Sequence, residues 1–296
     1  MRAARIHGYG GPEVMRLDEV PVPQPEAGQV LVKVRAASMN PIDWKMRRGL
    51  LKDIFPLTFP RTLGRDCAGE LDGKLVAGVA DARGDGTHAE YALLLQTSIT
   101  PVPVGVDAAE AASLCIAGLS AWIPLVEVAK VQKGMRVLIH GGAGGVGCHA
   151  IQIARELGAH VIATSTQADY CKQLGAERVI DYRKEDFAAA GPYDVVLDTL
   201  GGEAHVRSLN VLKPGGIVVA LSAMPVPTPY TIPAGSRMVR PVIQATRERL
   251  AEIFDWVIKG RLRPQLARRF HLEEANDAYA AVEAPHGRGK IVLEIS

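Results

Sequence analysis

Six consecutive residues of this 296-residue chain carry the clearest chemical purpose: Gly142-Ala143-Gly144-Gly145-Val146-Gly147. Their GxGxxG spacing follows the apolar run Val137-Leu138-Ile139 and precedes one helical face marked by Val146, Ala150, Ile153, Ala154 and Leu157. In a strand–loop–helix setting each glycine has a job. Gly142 permits the tight turn, Gly144 lets the backbone approach a pyrophosphate with no Cβ in the way, and Gly147 lets the helix lie close on the sheet. The amides of Gly145, Val146 and Gly147 then stand at a helix N-terminus, where free N–H groups and the helix dipole favour phosphate. The alternative is a glycine turn with no ligand, and the flanking strand and helix argue against it. No GxxxxGK[ST] occurs, so a mononucleotide P-loop is excluded. The spacing predicts a dinucleotide site.

The end of the next strand chooses the dinucleotide. A cofactor with a free ribose 2′-OH calls for a carboxylate there. The strand runs instead into Ala163-Thr164-Ser165-Thr166-Gln167, with Asp169 only later. Hydroxyls at Ser165 and Thr166 suit a 2′-phosphate, Thr164 is counted with them among the cofactor-binding residues, and Lys172 and Arg183 are nearby cations, each of which is alternatively an ordinary solvated charge. NADP(H) is the expected cofactor.

Other reactive residues point to no metal and no thiol chemistry. Cys67, Cys115, Cys148 and Cys171 are widely spaced with no CxxC pair, which argues against a disulfide framework or a zinc knuckle and suits a reducing cytoplasm. Cys148 follows the glycine motif, but a small packing role is the simpler reading. His88, His140 and His149 lack metal-ligand spacing. Net charge is +2 and aromatics are 5%, so neither nucleic acid nor a membrane surface is expected as the main partner. The N-terminus lacks the apolar core of a signal peptide, and no apolar run reads as long enough to span a bilayer.

The elements that must position these residues fall into two patterns. The first third is β-rich, with strand-like runs at Ala3–His7 and Gln29–Val34 around the extended Pro21-Val22-Pro23-Gln24-Pro25. An alanine-rich helical stretch from Ala108 to Lys130 follows, with a kink or break between helical pieces expected at Pro124. A β–α series then runs through His160–Ala163, Arg178–Ile180, Val195–Leu197 and Ile217–Ala220. Such alternation implies a parallel, right-handed α/β sheet. An amphipathic helix carrying Leu250, Ile253, Phe254 and Val257 and a terminal strand Ile291–Glu294 close the chain, and that strand can rejoin the first sheet.

At this point the chain resembles the zinc-independent quinone oxidoreductase branch of the medium-chain dehydrogenase/reductase superfamily. The resemblance covers nearly the whole length. It rests on residues Ala37 to Lys45, Leu63-Gly64-Arg65-Asp66, Gly86 to Tyr91, Val137 to Gly147, Leu174-Gly175-Ala176, Asp198 to Gly202 and Gly289 to Leu293. It implies a GroES-like, β-rich catalytic lobe from residues 1–118 and 246–296, with a Rossmann lobe of residues 119–245 inserted and the active site in the cleft between them. Zinc-dependent relatives have a cysteine ligand where Asn40 stands and Gly-His-Glu where Gly64-Arg65-Asp66 stands. An amide and a guanidinium do not replace thiolate and imidazole, so no metal is expected. The segment from Gly69 to Thr87 is shorter than is usual in the family, and the arginine of many relatives appears as Thr166.

By the same resemblance, Asn40 and Lys45 face the nicotinamide as donors to a developing oxyanion, although Asn40 before Pro41 also fits a turn cap. Asp43 is read as holding that loop. Tyr182 is placed against adenine and the Leu221-Ser222 segment beside the nicotinamide, while Arg288 and Lys290 either reach the cofactor or are surface charges. The implied activity is NADPH-dependent, metal-free hydride transfer to a quinone or similar α,β-unsaturated carbonyl. The alternatives are an enone or alkenal (enoyl) reductase and a non-catalytic NADPH-binding regulatory protein. A homodimer formed through the Rossmann lobe is expected.

Overall fold

The computed structural model describes every residue except 82, 223–229 and 286. Its packing divides the chain into two compact units, one of Met1–Leu119, Gln244–Ile258 and Pro264–Ser296, the other of Ser120–Ile243 and Lys259–Arg263.

The first unit begins with strand β1 (Arg2–Ile6), antiparallel to β2 (Met15–Glu19). The long strand β3 (Gln29–Ser38) leads into helix α1 (Pro41–Arg47). After β4 (Arg61–Thr62), which pairs with β1, come β5 (Asp66–Leu71), β6 (Lys74–Val79), β7 (Tyr91–Leu95) and β8 (Ile99–Pro101). Strands β5 and β6 form a hairpin closed by Asp72-Gly73, both with positive φ. Two left-handed residues match the twist of flanking strands, and Asp-Gly tolerates them. The short Gly69–Thr87 segment therefore holds a two-residue hairpin turn.

Helix α2 (Ala108–Trp122) ends just before Pro124, where the change between helical pieces is expected. The chain continues through a π-helical turn, Ile123–Val128, in which the Ala129 N–H donates to the Pro124 carbonyl at 2.8 Å. Proline removes an N–H from the ladder, and widening one turn re-pairs the backbone around it. The resulting run Ala108–Val128 is long and apolar enough to cross a membrane by length and composition, contrary to the expectation that no such run exists. Because 78% of its most apolar window is buried inside the protein, it serves as a core helix.

The second unit is built on a six-stranded parallel sheet. Its elements are β9 (Arg136–Ile139), α3 (Gly147–Glu156), β10 (His160–Thr164), α4 (Ala168–Leu174), β11 (Arg178–Ile180), β12 (Tyr193–Asp198), α5 (Gly202–Leu209), β13 (Leu212–Ala220) and β14 (Arg237–Val239). The spatial order β11-β10-β9-β12-β13-β14 is doubly wound, reversing between β9 and β12. Buried Leu138, Ile162, Val196 and Val218 form its core with Phe187, Tyr193 and Leu209. Strand β14 escapes sequence reading because it is only three residues, one exposed and two half-buried, after a Pro-Ala-Gly turn.

The remaining elements are α6 (Arg247–Ile258), β15 (Leu266–His271), α7 (Ala275–Glu283) and β16 (Lys290–Glu294). Strand β16 runs antiparallel to β3, with Val292 opposite Ser38 and Glu294 opposite Ala36, so the chain's last strand completes its first large sheet. The expected boundary at 245/246 leaves out one return. Lys259–Arg263 packs with the second unit, where the Gln152 amide donates to the Arg263 carbonyl at 3.1 Å and accepts the Arg263 N–H at 2.9 Å.

Candidate active site

In the second unit the glycine motif lies between the end of β9 and the start of α3. A Cβ on Gly147 would collide with the Gly141 carbonyl oxygen, and one on Gly142 would come within 2.7 Å of Ala163 Cβ. One on Gly144 would meet only the Gly141 carbonyl, at 3.3 Å. Gly142 and Gly147 are thus demanded by the fold itself, whereas the space beside Gly144 suits the close backbone approach of a pyrophosphate. Gly145 and Val146 complete the loop, and Val146 precedes the first helical residue. The loop and its helix fit a dinucleotide.

The topology brings the remaining residues expected at the cofactor to the same edge. Thr166 follows β10, Tyr182 follows β11, and Leu221-Ser222 follows β13, all at the carboxyl ends of parallel strands. Ligands in open α/β sheets bind at this edge, where the strand order reverses. The three hydroxyl residues do not behave alike. Thr164 is buried and turned inward, its Oγ1 3.2 Å from His140 Nδ1 and accepting the Gly141 N–H at 3.2 Å. Ser165 is buried too and accepts the Gln167 N–H at 2.9 Å, while Thr166 is half-buried. The Thr164 hydroxyl, expected among the cofactor-binding groups, is instead used to fix the glycine loop. Lys172 is exposed and has no ion-pair partner among the described residues. Arg183 is committed to Asp181 at 3.0 Å. Tyr182 is 50% exposed rather than a core residue.

Residues with no role in the sequence reading stiffen this edge. The buried Asp198 carboxylate accepts N–H bonds from Leu200 and Gly201 at 2.9 Å each and lies 2.8 Å from His205 Nδ1. Thr199 Oγ1 donates to the His140 carbonyl at 2.8 Å and ties β12 to β9 at the reversal of strand order. An Asp two and three residues before free N–H groups at a strand end is an Asx-type turn signal that could have been read. Burial pushes His140 down to about 4, so it stays neutral between Thr164 and Ser208 Oγ, the latter at 2.9 Å.

In the first unit Asn40 stands at the N-cap of α1, in a capping box with Asp43. The Asn40 backbone N–H donates to Asp43 Oδ2 at 2.7 Å, which gives Asp43 the loop-holding role. The Asn40 side chain also enters a buried polar network. Asn40 Nδ2 donates to Asp66 Oδ1 at 2.7 Å, and Asn40 Oδ1 accepts from Lys290 Nζ at 2.8 Å. Asp66 also accepts from Ser38 Oγ at 2.7 Å and from the Ile116 N–H at 2.8 Å. Burial raises Asp66, and Lys290 draws it back down. Asp43 is pushed up to about 7, chiefly by burial. His88, between Tyr279 Oη at 3.1 Å and the Ser38 carbonyl at 3.4 Å, is lowered by burial to about 4.

Lys45 lies one turn further along α1, half-buried, its ammonium 5.6 Å from the Trp44 ring centre. Burial lowers its hold on the proton, and no carboxylate pairs with it among the described residues. Lys290 is buried rather than a surface charge, and sequence reading missed it as a partner of Asn40. Asp66, noted only as a departure from a zinc site, proves to be the acceptor that holds the Asn40 amide. Burial raises the Cys67 and Cys115 thiols, and all four cysteines are buried and unlinked.

Comparison with known proteins agrees across the chain. An alcohol dehydrogenase GroES-like domain model matches residues 26–104, and a zinc-binding dehydrogenase model matches residues 174–293. The chloroplastic quinone-oxidoreductase QR1 of Triphysaria versicolor is 32% identical over 99% of this chain and 98% of its own. The 2-methylene-furan-3-one reductase of Solanum lycopersicum is 33% identical over 99% of this chain and 79% of its own. Among solved structures, the quinone oxidoreductase of Coxiella burnetii superposes with a TM-score of 0.90 at 34% identity, covering 100% of this chain and 99% of that one. The Escherichia coli quinone oxidoreductase complexed with NADPH gives 0.89 at 25% identity, covering 99% and 100%.

Proposed function

The chain belongs to the zinc-independent quinone oxidoreductase branch of the medium-chain dehydrogenase/reductase superfamily, and we propose that this NADPH-dependent oxidoreductase delivers hydride to a quinone or similar conjugated carbonyl. The observation that carries the reading is the donor set of the first unit. The Asn40 amide is held by two opposite charges, and the half-buried Lys45 ammonium has no carboxylate of its own. Both donate hydrogen bonds, and neither is a base.

NADPH, when bound, supplies the hydride. The glycine loop and the α3 N-terminus hold its pyrophosphate, and Thr166 with Lys172 recognises the 2′-phosphate. Tyr182 offers a face for adenine, and Leu221-Ser222 borders the nicotinamide. Asn40 Nδ2 and Lys45 Nζ donate to the substrate oxygen as negative charge builds on it. Lys45 then gives up a proton, a step its lowered proton affinity favours. Asn40 and Arg65 offer no thiolate or imidazole to a metal, so no Lewis acid enters the scheme.

The same proton delivery suits an enone, in which hydride goes to the β-carbon and a proton follows, and the tomato furanone reductase named above is a relative of that kind. Steady-state NADPH oxidation over a panel of quinones and enones tests both. Tight NADPH binding with no turnover on any member would instead favour a non-catalytic binding protein. We also infer a homodimer through the nucleotide-binding unit, because edge strand β14 has a strand partner on one side only among the described residues. The four buried thiols suit a reducing compartment, and we assign the cytoplasm on that ground. Sedimentation and cell fractionation check these two assignments.

A further inference from the structure

Lys290 is 3% exposed at the start of β16, and its ammonium donates to the Met39 carbonyl at 2.6 Å and to Asn40 Oδ1 at 2.8 Å. Gly289 allows the approach. Its φ is +56°, and a Cβ there would collide with the Gln265 carbonyl oxygen, which accepts the Lys290 N–H at 2.7 Å. On the far side of the amide, Asn40 Nδ2 donates to Asp66 Oδ1 at 2.7 Å.

An Asn side chain is nearly symmetric in shape, so its oxygen and nitrogen exchange places by a simple flip. An ammonium only donates, and an ionised carboxylate only accepts. With Lys290 on one side and Asp66 on the other, a single orientation satisfies both. The flipped amide would turn N–H toward ammonium and oxygen toward carboxylate, two repulsive contacts in a buried site. One N–H of Nδ2 is spent on Asp66. The other lies 3.4 Å from the Ser38 carbonyl and Oγ, too long to be a firm bond, and it is the donor a substrate oxygen can claim.

We propose that Lys290 is a positioning residue for hydride transfer: its buried ammonium locks the Asn40 amide so that the Nδ2 N–H held only by long 3.4 Å contacts to Ser38 can turn to the substrate oxygen. The inference rests on the reading of Asn40 as an oxyanion donor. Lys290 works through the amide. It also balances the charges around it, since Asp43, Asp66, Arg65 and His88 all lie within electrostatic reach of this cluster.

The test compares wild type with Lys290→Met, Lys290→Arg, Asn40→Ala and the Lys290→Met/Asn40→Ala double variant, with active sites counted by NADPH titration. Lys290→Met is expected to lower kcat for a quinone by roughly 10- to 100-fold, the cost of one misplaced oxyanion donor, with NADPH affinity changed by less than about twofold. The double variant is expected to be no slower than the worse single one, because both remove the same donor. Lys290→Arg keeps the charge with a mismatched fork and should recover part of the rate; if Lys290→Met does not fold, it carries the comparison with a fall of about three- to tenfold. Additive losses, or an unchanged kcat per NADPH site in a merely less stable variant, would overturn the proposal. Hydrogen exchange of the Asn40 side-chain amide, faster in the Lys290 variant if the lock is real and unchanged if it is not, answers for Lys290 even if the wild type reduces no quinone or enone. That last result would retract the functional reading alone.

Discussion

The carbonyl oxygen of Gly141 stands where a Cβ on Gly147 would have to go, so the corner between β9 and α3 closes only around a glycine. Gly144, three residues earlier, has nothing nearer to its missing Cβ than the same carbonyl, at 3.3 Å. Two glycines of one motif therefore serve different ends. Gly147→Ala should destabilise the protein and lower the yield of folded chain, because backbone must move. Gly144→Ala should fold with a melting temperature near that of wild type and lose NADPH affinity by about tenfold or more. Thermal melts and fluorescence titration separate the two, and a Gly144→Ala enzyme with unchanged NADPH affinity would remove that residue from the pyrophosphate site.

Cofactor choice should rest on Thr166 and Lys172, since Thr164 is turned inward toward His140. NADPH should bind more tightly than NADH. Lys172→Ala should cost NADPH about 1.5–3 kcal/mol, or roughly one to two decades, and leave NADH nearly unaffected. Equal affinity of the wild type for both cofactors would show the 2′-phosphate assignment to be wrong.

Reaction type follows from what the donors lack. An alcohol gives up hydride readily only when its O–H is deprotonated, and zinc enzymes achieve this by binding the oxygen. Asn40 and Lys45 offer no such help, whereas a quinone or enone spreads the incoming charge by conjugation. NADPH-dependent reduction of a quinone should outrun NADP-dependent oxidation of short alcohols, and the reverse order would overturn the assigned class. Asn40→Ala should lower kcat/KM by roughly one to three decades per NADPH-binding site.

Lys45 should set the basic limb of the rate. Burial lowers its proton affinity, so the charged form needed to donate is lost at a pH below the usual lysine value of 10.5. Activity should fall as pH rises through that lowered value. Lys45→Arg should move the limb upward, because a guanidinium keeps its charge, and Lys45→Met should abolish it. A limb unmoved in Lys45→Arg would assign the proton to another group.

Acid stability should be governed by two buried histidines. His88 and His140 are lowered to about 4 from an ordinary 6.5, so the folded state binds fewer protons than the unfolded chain between those values. Their contribution is complete above pH 6.5 and drains away as pH falls toward 4. Asp43, raised to about 7 from 3.8, acts in the opposite sense, favouring the folded state as it takes up its proton on acidification. His88→Gln should flatten the loss of stability between pH 6.5 and 4, and Asp43→Asn should steepen it. Urea unfolding across that range measures both slopes, and unchanged slopes would count against the burial of these groups.

Sequence by itself determined what local chemistry dictates. Strand, glycine loop and helix succeed one another within about twenty residues, so the dinucleotide site was legible from spacing and steric need. The alternation of apolar runs with helical faces implied the parallel sheet for the same reason. A three-residue edge strand such as β14 and the π-helical form of the turn at Pro124 carry too weak a local signal to be read. Only the tertiary structure decided which hydroxyl near the glycine loop turns inward, because that depends on His140 arriving from the neighbouring strand. It decided, too, that Lys290 is the partner of Asn40 across 250 residues of chain and that Asp66 completes the trio. A buried charge is tolerated only where its counter-charge and hydrogen-bond partners converge. That convergence belongs to how the last strand, β16, lies against β3, which no local pattern in the sequence specifies.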